Sequence, residues 1–227
     1  MHSVFRKEIK YIVPIEQYLM IEKTLSAMMK LDKYGTAGVY KVRSQYYDSI
    51  TNQDLMDNLM GVMEKRKIRL RIYSPEDKTV KLEYKCKSGT EGKKYSLNIT
   101  RAEALMMEQR RYDFLLYNLE PLAVELYYKM LRGVYQPKTI VEYERKAYIY
   151  PVSDVRITFD TNLVASSAPL GLFDKKPFYQ PILEQDVGVL EVKYNDFIPS
   201  PLKKVIEQMD QLPQASSKYS KARLLHF

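Results

Sequence analysis

Charged residues spaced two apart recur along this chain of 227 residues: Arg6, Glu8 and Lys10; Lys67, Arg69 and Arg71; Lys81, Glu83, Lys85 and Lys87; Lys94, Ser96 and Asn98; Arg156, Thr158 and Asp160; Glu191 and Lys193. In a strand, residues two apart point to the same side. Each set therefore makes one charged face, while the residues between them, such as Ile68, Leu70 and Ile72 or Val80, Leu82, Tyr84 and Cys86, make an apolar one. Tyr143 and Arg145 extend the pattern. One solvated face of an antiparallel sheet explains any single strand of this kind. Seven in one chain point instead to a sheet curled so that its charged faces look inward on a polar lumen. Like charges in a restricted space repel, so such a lumen needs a polyanion. Phosphate is the natural one, because Arg forks match its oxygens in bidentate fashion and Lys adds point charge. The carboxylates on that face, Glu8, Glu83, Asp160 and Glu191, either pair with neighbouring Lys and Arg or hold a divalent cation, since Mg²⁺ and Mn²⁺ take oxygen ligands.

The elements that must position these residues follow from periodicity. Strands are expected at 4–13, 39–47, 65–73, 79–87, 93–99, 138–150, 154–161 and 187–194, with a hairpin around Gly89 and Gly92. Helices are expected from Pro14 to about Met29, over about 51–62, over 101–132 in two or three pieces interrupted at Pro121, and after Pro199 and Pro201. The class is α+β: an antiparallel β-barrel of about eight strands with helices packed outside, a size that holds one small ligand. No repeat is visible, and the Pro-containing stretch 165–181 is short enough to be a loop, so 1–227 reads as a single domain. Phe173, Phe178 and Tyr179 in that loop suit either a tunnel-mouth loop or a contact surface.

Composition agrees. Hydrophobic residues make up 45% of the chain, which rules out a disordered or collagen-like polymer, and 36 Lys+Arg against 28 Asp+Glu give a formal charge of +8. Twenty Tyr and no Trp favour strands. The lone Cys86 cannot close an internal disulfide, no apolar run is long enough for a membrane span, and charges occupy the N-terminus, so a cytoplasmic setting is expected. The two His, His2 and His226, lie at the termini and Cys86 falls on an apolar face, which disfavours nucleophilic triads; neither a P-loop nor a G-x-G-x-x-G is present.

Glu8 and Lys10, Arg69 and Arg71, the alternating Lys and Glu of 81–87, then EYERKAY, RITFDT, LEVKY and a closing SKYSKAR occur in that order. The ordered set resembles the triphosphate tunnel metalloenzymes of the CYTH-like superfamily, and among them the VTC-type polyphosphate polymerase domain, in a stand-alone bacterial form. The resemblance implies a metal-dependent phosphotransferase that moves the γ-phosphoryl of ATP onto a growing polyphosphate chain. Lys10, Arg69, Arg71, Lys85, Lys94, Arg145, Arg156 and Lys193 would then be the catalytic cations. Lys87, Tyr143, Lys218, Ser220 and Lys221 would bind substrate, and Glu191, Glu8 and Glu83 would hold Mn²⁺ or Mg²⁺. ATP and polyphosphate or pyrophosphate are the expected partners, without nucleic acid; a membrane-protein partner and a monomeric or homodimeric state stay open. Hydrolytic tunnel enzymes begin Glu-x-Glu-x-Lys, whereas the first acidic position here is Arg6, which argues against hydrolysis.

Two other readings use the same tunnel: a hydrolase of tripolyphosphate or nucleoside triphosphate, and a non-catalytic polyphosphate-binding module. A nucleic-acid groove would need basic and aromatic residues on one face. Tyr11, Tyr84 and Tyr95 instead fall opposite the basic set.

Overall fold

The alternating segments fold as strands. A computed structural model describes residues 7–32, 38–89, 91–167, 171–209, 211–214 and 216–225. His2, Arg6 and His226 lie outside the described residues. The strands are β1 (Lys7–Pro14), β2 (Lys30–Leu31), β3 (Val39–Asp48), β4 (Glu64–Ile72), β5 (Thr79–Ser88), β6 (Glu91–Thr100), β7 (Gln136–Ile149), β8 (Arg156–Ser166), β9 (Gln180–Pro181) and β10 (Val187–Tyr194). The helices are α1 (Ile15–Met28), α2 (Gln53–Leu59), α3 (Arg101–Glu108), α4 (Pro121–Arg132), α5 (Ser200–Glu207) and α6 (Lys218–Leu224), with a 3-10 segment at Asp113–Tyr117. The class is α+β with antiparallel strands, as expected; β2 and β9 have two residues each, which leaves eight strands of eight residues or more among the described residues.

The stretch 101–132 comes in pieces with a break at Pro121, as expected: α3, the 3-10 segment and α4, which Pro121 opens at the first turn, where its missing N–H has no partner to lose. The start of α3 is fixed by a capping box, in which Thr100 Oγ1 accepts from the Glu103 amide at 3.2 Å and Glu103 accepts from the Thr100 amide at 2.7 Å. This box turns the end of β6 directly into helix.

The chain forms two compact units. The first comprises Met1–Val42, Glu142–Val164 and Pro181–Lys218. Its strands run in the order β1-β10-β8-β7, with Lys10 opposite Glu191, Glu8 opposite Lys193, and Lys193 opposite Arg156. The intervening residues Tyr11, Ile157, Phe159, Leu190 and Val192 pack against Tyr18, Ile21 and Leu25 of α1 and Leu202, Val205 and Ile206 of α5. Burial of each such side chain contributes roughly 1.5 to 3 kcal/mol. Gly188 lets β10 approach β8 closely, since a Cβ there would sit 3.0 Å from the Asp160 carbonyl oxygen.

The second unit comprises Arg43–Val141, Ala165–Gln180 and Tyr219–Phe227. Its order is β3-β4-β5-β6. Ile68, Leu70, Leu82, Tyr84 and Leu97 pack on Ala104 and Met107 of α3 and on Ala123, Leu126 and Met130 of α4, and Cys86 and Tyr95 join the edge of this core. Phe173 is part of it, while Phe178 is exposed, so the 165–181 stretch is anchored by one aromatic and presents another. Arg43 ties the same stretch to β3 by donating to the carbonyls of Leu172 at 3.0 Å and Asp174 at 2.6 Å.

The buried Asp48, at the end of β3, organises α2 and the C-terminal helix together. Its oxygens accept from the amides of Ser49, Asp54 and Leu55 at 2.7 to 2.9 Å and from the Tyr219 hydroxyl at 2.6 Å. Asp48→Ala leaves those four donors without an acceptor and is expected to cost on the order of 2 to 4 kcal/mol, read as a lower urea midpoint at unchanged m-value.

Candidate functional site

In the second unit, strand register stacks the charged face into rungs. Lys67, Lys85 and Lys94 lie directly across β4, β5 and β6; the next rung holds Arg69, Glu83 and Ser96, and the next Arg71, Lys81 and Asn98. Like charges directly opposite one another destabilise a sheet. Glu83 offsets part of this. Its buried carboxylate meets Arg69 at 2.7 Å, Arg71 at 3.5 Å and Lys94 at 2.5 Å. Burial alone would raise its pKa, but the charges of Arg69, Arg71 and Lys94 hold it far below the usual carboxylate range. Desolvation pushes the Lys94 ammonium down to about 8 in spite of Glu83.

The buried Nε of Arg71 has no hydrogen-bond partner among the described residues. Tyr46 steadies Arg69 by accepting from its Nη1 at 3.0 Å. Tyr46 in turn stacks on Tyr219 of α6 with ring centroids 5.2 Å apart.

The first unit carries a second constellation. Arg145 donates through two nitrogens to both oxygens of Asp160, each at 2.7 Å, and Lys218 contacts the same carboxylate at 2.6 Å. The Tyr143 ring lies under both cations, 5.1 Å from Arg145 and 4.8 Å from Lys218. Glu191 pairs with Lys193 at 2.7 Å and faces Arg145 at 3.8 Å, and Glu8 pairs with Lys10 at 2.7 Å. Burial would raise the pKa of Glu191, but Lys193 and Lys10, with a hydrogen bond involving Glu8, hold it well below the usual range. Arg156 pairs with Asp32 at 2.6 Å, and its buried Nε has no hydrogen-bond partner among the described residues.

The expected site residues fall as follows. Glu8, Lys10, Tyr143, Arg145, Glu191, Lys193 and Lys218 come together in the first unit, with Arg156 across from Lys193. Arg69, Arg71, Lys85 and Lys94 come together in the second, and Lys87 follows Lys85 on the same face toward the hairpin. Ser220 and Lys221 are on α6, Ser220 buried and Lys221 half-buried. Asp32 and Tyr46 are additions. Of the two roles open to Asp160, the structure gives it that of counterion, shared by Arg145 and Lys218; nothing in the sequence linked Asp32 to Arg156.

The metal expectation divides. Among the described residues no group of three or more His, Cys, Asp or Glu has the arrangement of a metal centre. Glu8 and Glu191 lie on the same face of the β1–β10 pair, Glu8 opposite Lys193 and Glu191 opposite Lys10, and two carboxylates completed by phosphate oxygens and water suit Mg²⁺ or Mn²⁺. Glu83 does not fit, because Arg69, Arg71 and Lys94 already occupy its oxygens; it takes the ion-pairing role instead.

The VTC domain model matches residues 5–227, and the chain belongs to that family. A Bacillus halodurans protein provisionally named an adenylate cyclase superposes with a TM-score of 0.55 at 10% identity, covering 95% of this chain and 96% of its own. A Vibrio parahaemolyticus protein of the same designation gives 0.51 at 12% identity, covering 97% and 98%. These likenesses show a shared fold. No curated protein sequence matches the chain. Membership of the VTC family supports a function on polyphosphate or nucleoside triphosphates. No helix among the described residues is long and apolar enough to cross a membrane.

Asp160 is held down to about 2: burial raises it, but Arg145 and Lys218 outweigh that. A depressed acid stabilises the fold above its unfolded pKa of about 3.9 and loses that contribution as pH falls toward 2. Asp160→Asn is therefore expected to lose roughly 3 to 5 kcal/mol at pH 7 by stranding Arg145 and Lys218. The gap to the parent protein should narrow as pH falls from about 4 to 2, as followed by urea titration at stepped pH.

Proposed function

We propose that the chain is a polyphosphate polymerase that transfers the γ-phosphoryl group of ATP to the end of an inorganic polyphosphate chain. The observation that carries this reading is the register that sets Lys67, Lys85 and Lys94 side by side next to Arg69 and Arg71, with the Nε of Arg71 lacking a hydrogen-bond partner among the described residues. Phosphate oxygens suit such a face, because Arg forks match them in bidentate fashion and Lys adds point charge.

In the proposed reaction a terminal phosphate oxygen of the acceptor chain forms a bond to the γ-phosphorus. The bond to the β–γ bridging oxygen breaks, and that oxygen leaves on ADP. The acceptor oxygen is already anionic, so no general base is needed. Each unit carries its own cations for this chemistry: Arg69, Arg71, Lys85 and Lys94 in the second suit the binding of phosphates, and Arg145, Arg156, Lys193 and Lys218 in the first suit neutralising charge on a phosphoryl group. Tyr143 holds Arg145 and Lys218 over its ring. Glu191 and Glu8 would hold a divalent cation, which when bound supplies further neutralisation of phosphate oxygens.

The test is incubation with ATP, Mn²⁺ or Mg²⁺ and a pyrophosphate primer, with polyphosphate read on stained gels and orthophosphate read separately. Long chains that vanish in Arg71→Ala and Glu191→Ala are the expected outcome, with rates down roughly 100-fold or more. Orthophosphate without chains would replace the reading with hydrolysis, and tight polyphosphate binding without turnover would replace it with a binding module.

Lys94 gives a second expectation. A bound polyanion raises its pKa above the free value of about 8, so affinity is full below pH 8 and declines as pH rises through the bound-state pKa. Lys94→Arg should flatten this alkaline loss, measured as the Kd for tripolyphosphate from pH 7 to about 10.

A further inference from the structure

Residues 59–64, at the turn from α2 into β4, are all exposed, and four of them are large and apolar: Leu59 at 46%, Met60 at 75%, Val62 at 37% and Met63 at 73% exposure. Gly61 turns the chain with φ +71°, and a Cβ there would meet nothing within 4 Å, so the tip projects into open space. Contiguous apolar groups at a surface mark places where something binds. The tip is not loosely hung. Gly89 N, in the β5–β6 hairpin, donates to the Met63 carbonyl at 3.0 Å.

Charge beside the tip narrows what binds. Four rungs, from Glu64 opposite Ser88 to Lys67 opposite Lys85, continue into β6 as residues 91–94. Together they hold seven Lys and Arg, Lys65, Lys67, Lys85, Lys87 and Lys94 on one face of the sheet and Arg66 and Lys93 on the other, with Arg66 paired to Glu64 at 3.2 Å, so that end of the sheet is basic on both faces. An apolar projection flanked by a strongly basic strip complements a surface that is anionic outside and apolar just beneath. We infer that this end of the second unit docks on an anionic lipid bilayer. Leu59, Met60, Val62 and Met63 enter the boundary between headgroups and acyl chains, and Lys65, Arg66 and Lys93 meet lipid phosphates. The shape selects the bilayer over a protein helix, since a helix seats in a concave apolar groove and this is a convex turn.

The experiment is sedimentation of the full chain with vesicles of phosphatidylcholine alone or with about one-third phosphatidylserine. Binding to the anionic vesicles, about tenfold or more weaker on neutral vesicles and at high salt, is expected. Met60→Glu/Met63→Glu should weaken it about tenfold or more while leaving the circular dichroism spectrum unchanged. Three results would overturn the inference. The chain fails to sediment with anionic vesicles; or the double variant sediments like its parent, which leaves the basic face as the whole attraction; or the variant turns a dimer into a monomer in the ultracentrifuge, which makes the tip a contact between copies.

Discussion

Three buried carboxylates, each shared among several cations, are what allow the charged faces of this protein to exist. Glu83 holds Arg69, Arg71 and Lys94, Asp160 holds Arg145 and Lys218, and Glu191 holds Lys193 with Arg145 nearby. Burying a lone carboxylate is strongly unfavourable, and one ion pair seldom offsets it. Two or three cations per carboxylate change that balance, which is why Glu83 and Asp160 stay ionised far below the ordinary range despite their burial. The same pairs solve the opposite problem, because the cations would repel one another across neighbouring strands without an anion among them.

Glu83 meets Arg69, Arg71 and Lys94, while the Nε of Arg71 has no hydrogen-bond partner among the described residues. The guanidinium planes of Arg69 and Arg145 are fixed before any ligand arrives, one by Glu83 and Tyr46, the other by Asp160 and the Tyr143 ring. Preset donors have little reorganisation left to undergo when charge develops on a phosphoryl group, which is where electrostatic catalysis gains most. The apolar cores on the other side of each sheet supply the stiffness that this presetting requires.

Much of this arrangement was legible in the sequence because strand alternation is an almost deterministic code. Ile68, Leu70 and Ile72 against Lys67, Arg69 and Arg71 allowed only one assignment of inside and outside, and register then carried Glu83 to Arg69. Partner choice was not legible. Nothing local told that Asp160 would join Arg145 and Lys218, which lie 15 and 58 positions away in a separate strand and in a helix, or that Asp32 would meet Arg156. Tyr46 was equally hidden, since an uncharged residue in VYKVRSQYY gives no sign of which face it serves. Glu83 was legible as a charge and ambiguous as a ligand, and only its three cations decided between the two.

The same carboxylates bear on which phosphoryl acceptor suits the site. Attack by water is assisted by a base that removes its proton, and a useful base has a pKa near the working pH. Glu83, Asp160 and Glu191 are all pulled the other way, well below the ordinary carboxylate range, by the cations they hold. They are poor bases for that reason. A polyphosphate end needs no base, because its attacking oxygen is already anionic, and what limits its approach is repulsion from the triphosphate it attacks. Rows of fixed Lys and Arg lower that repulsion directly. For the transfer we propose, the low basicity of Glu83 in one unit, and of Asp160 and Glu191 in the other, suits an anionic acceptor better than water.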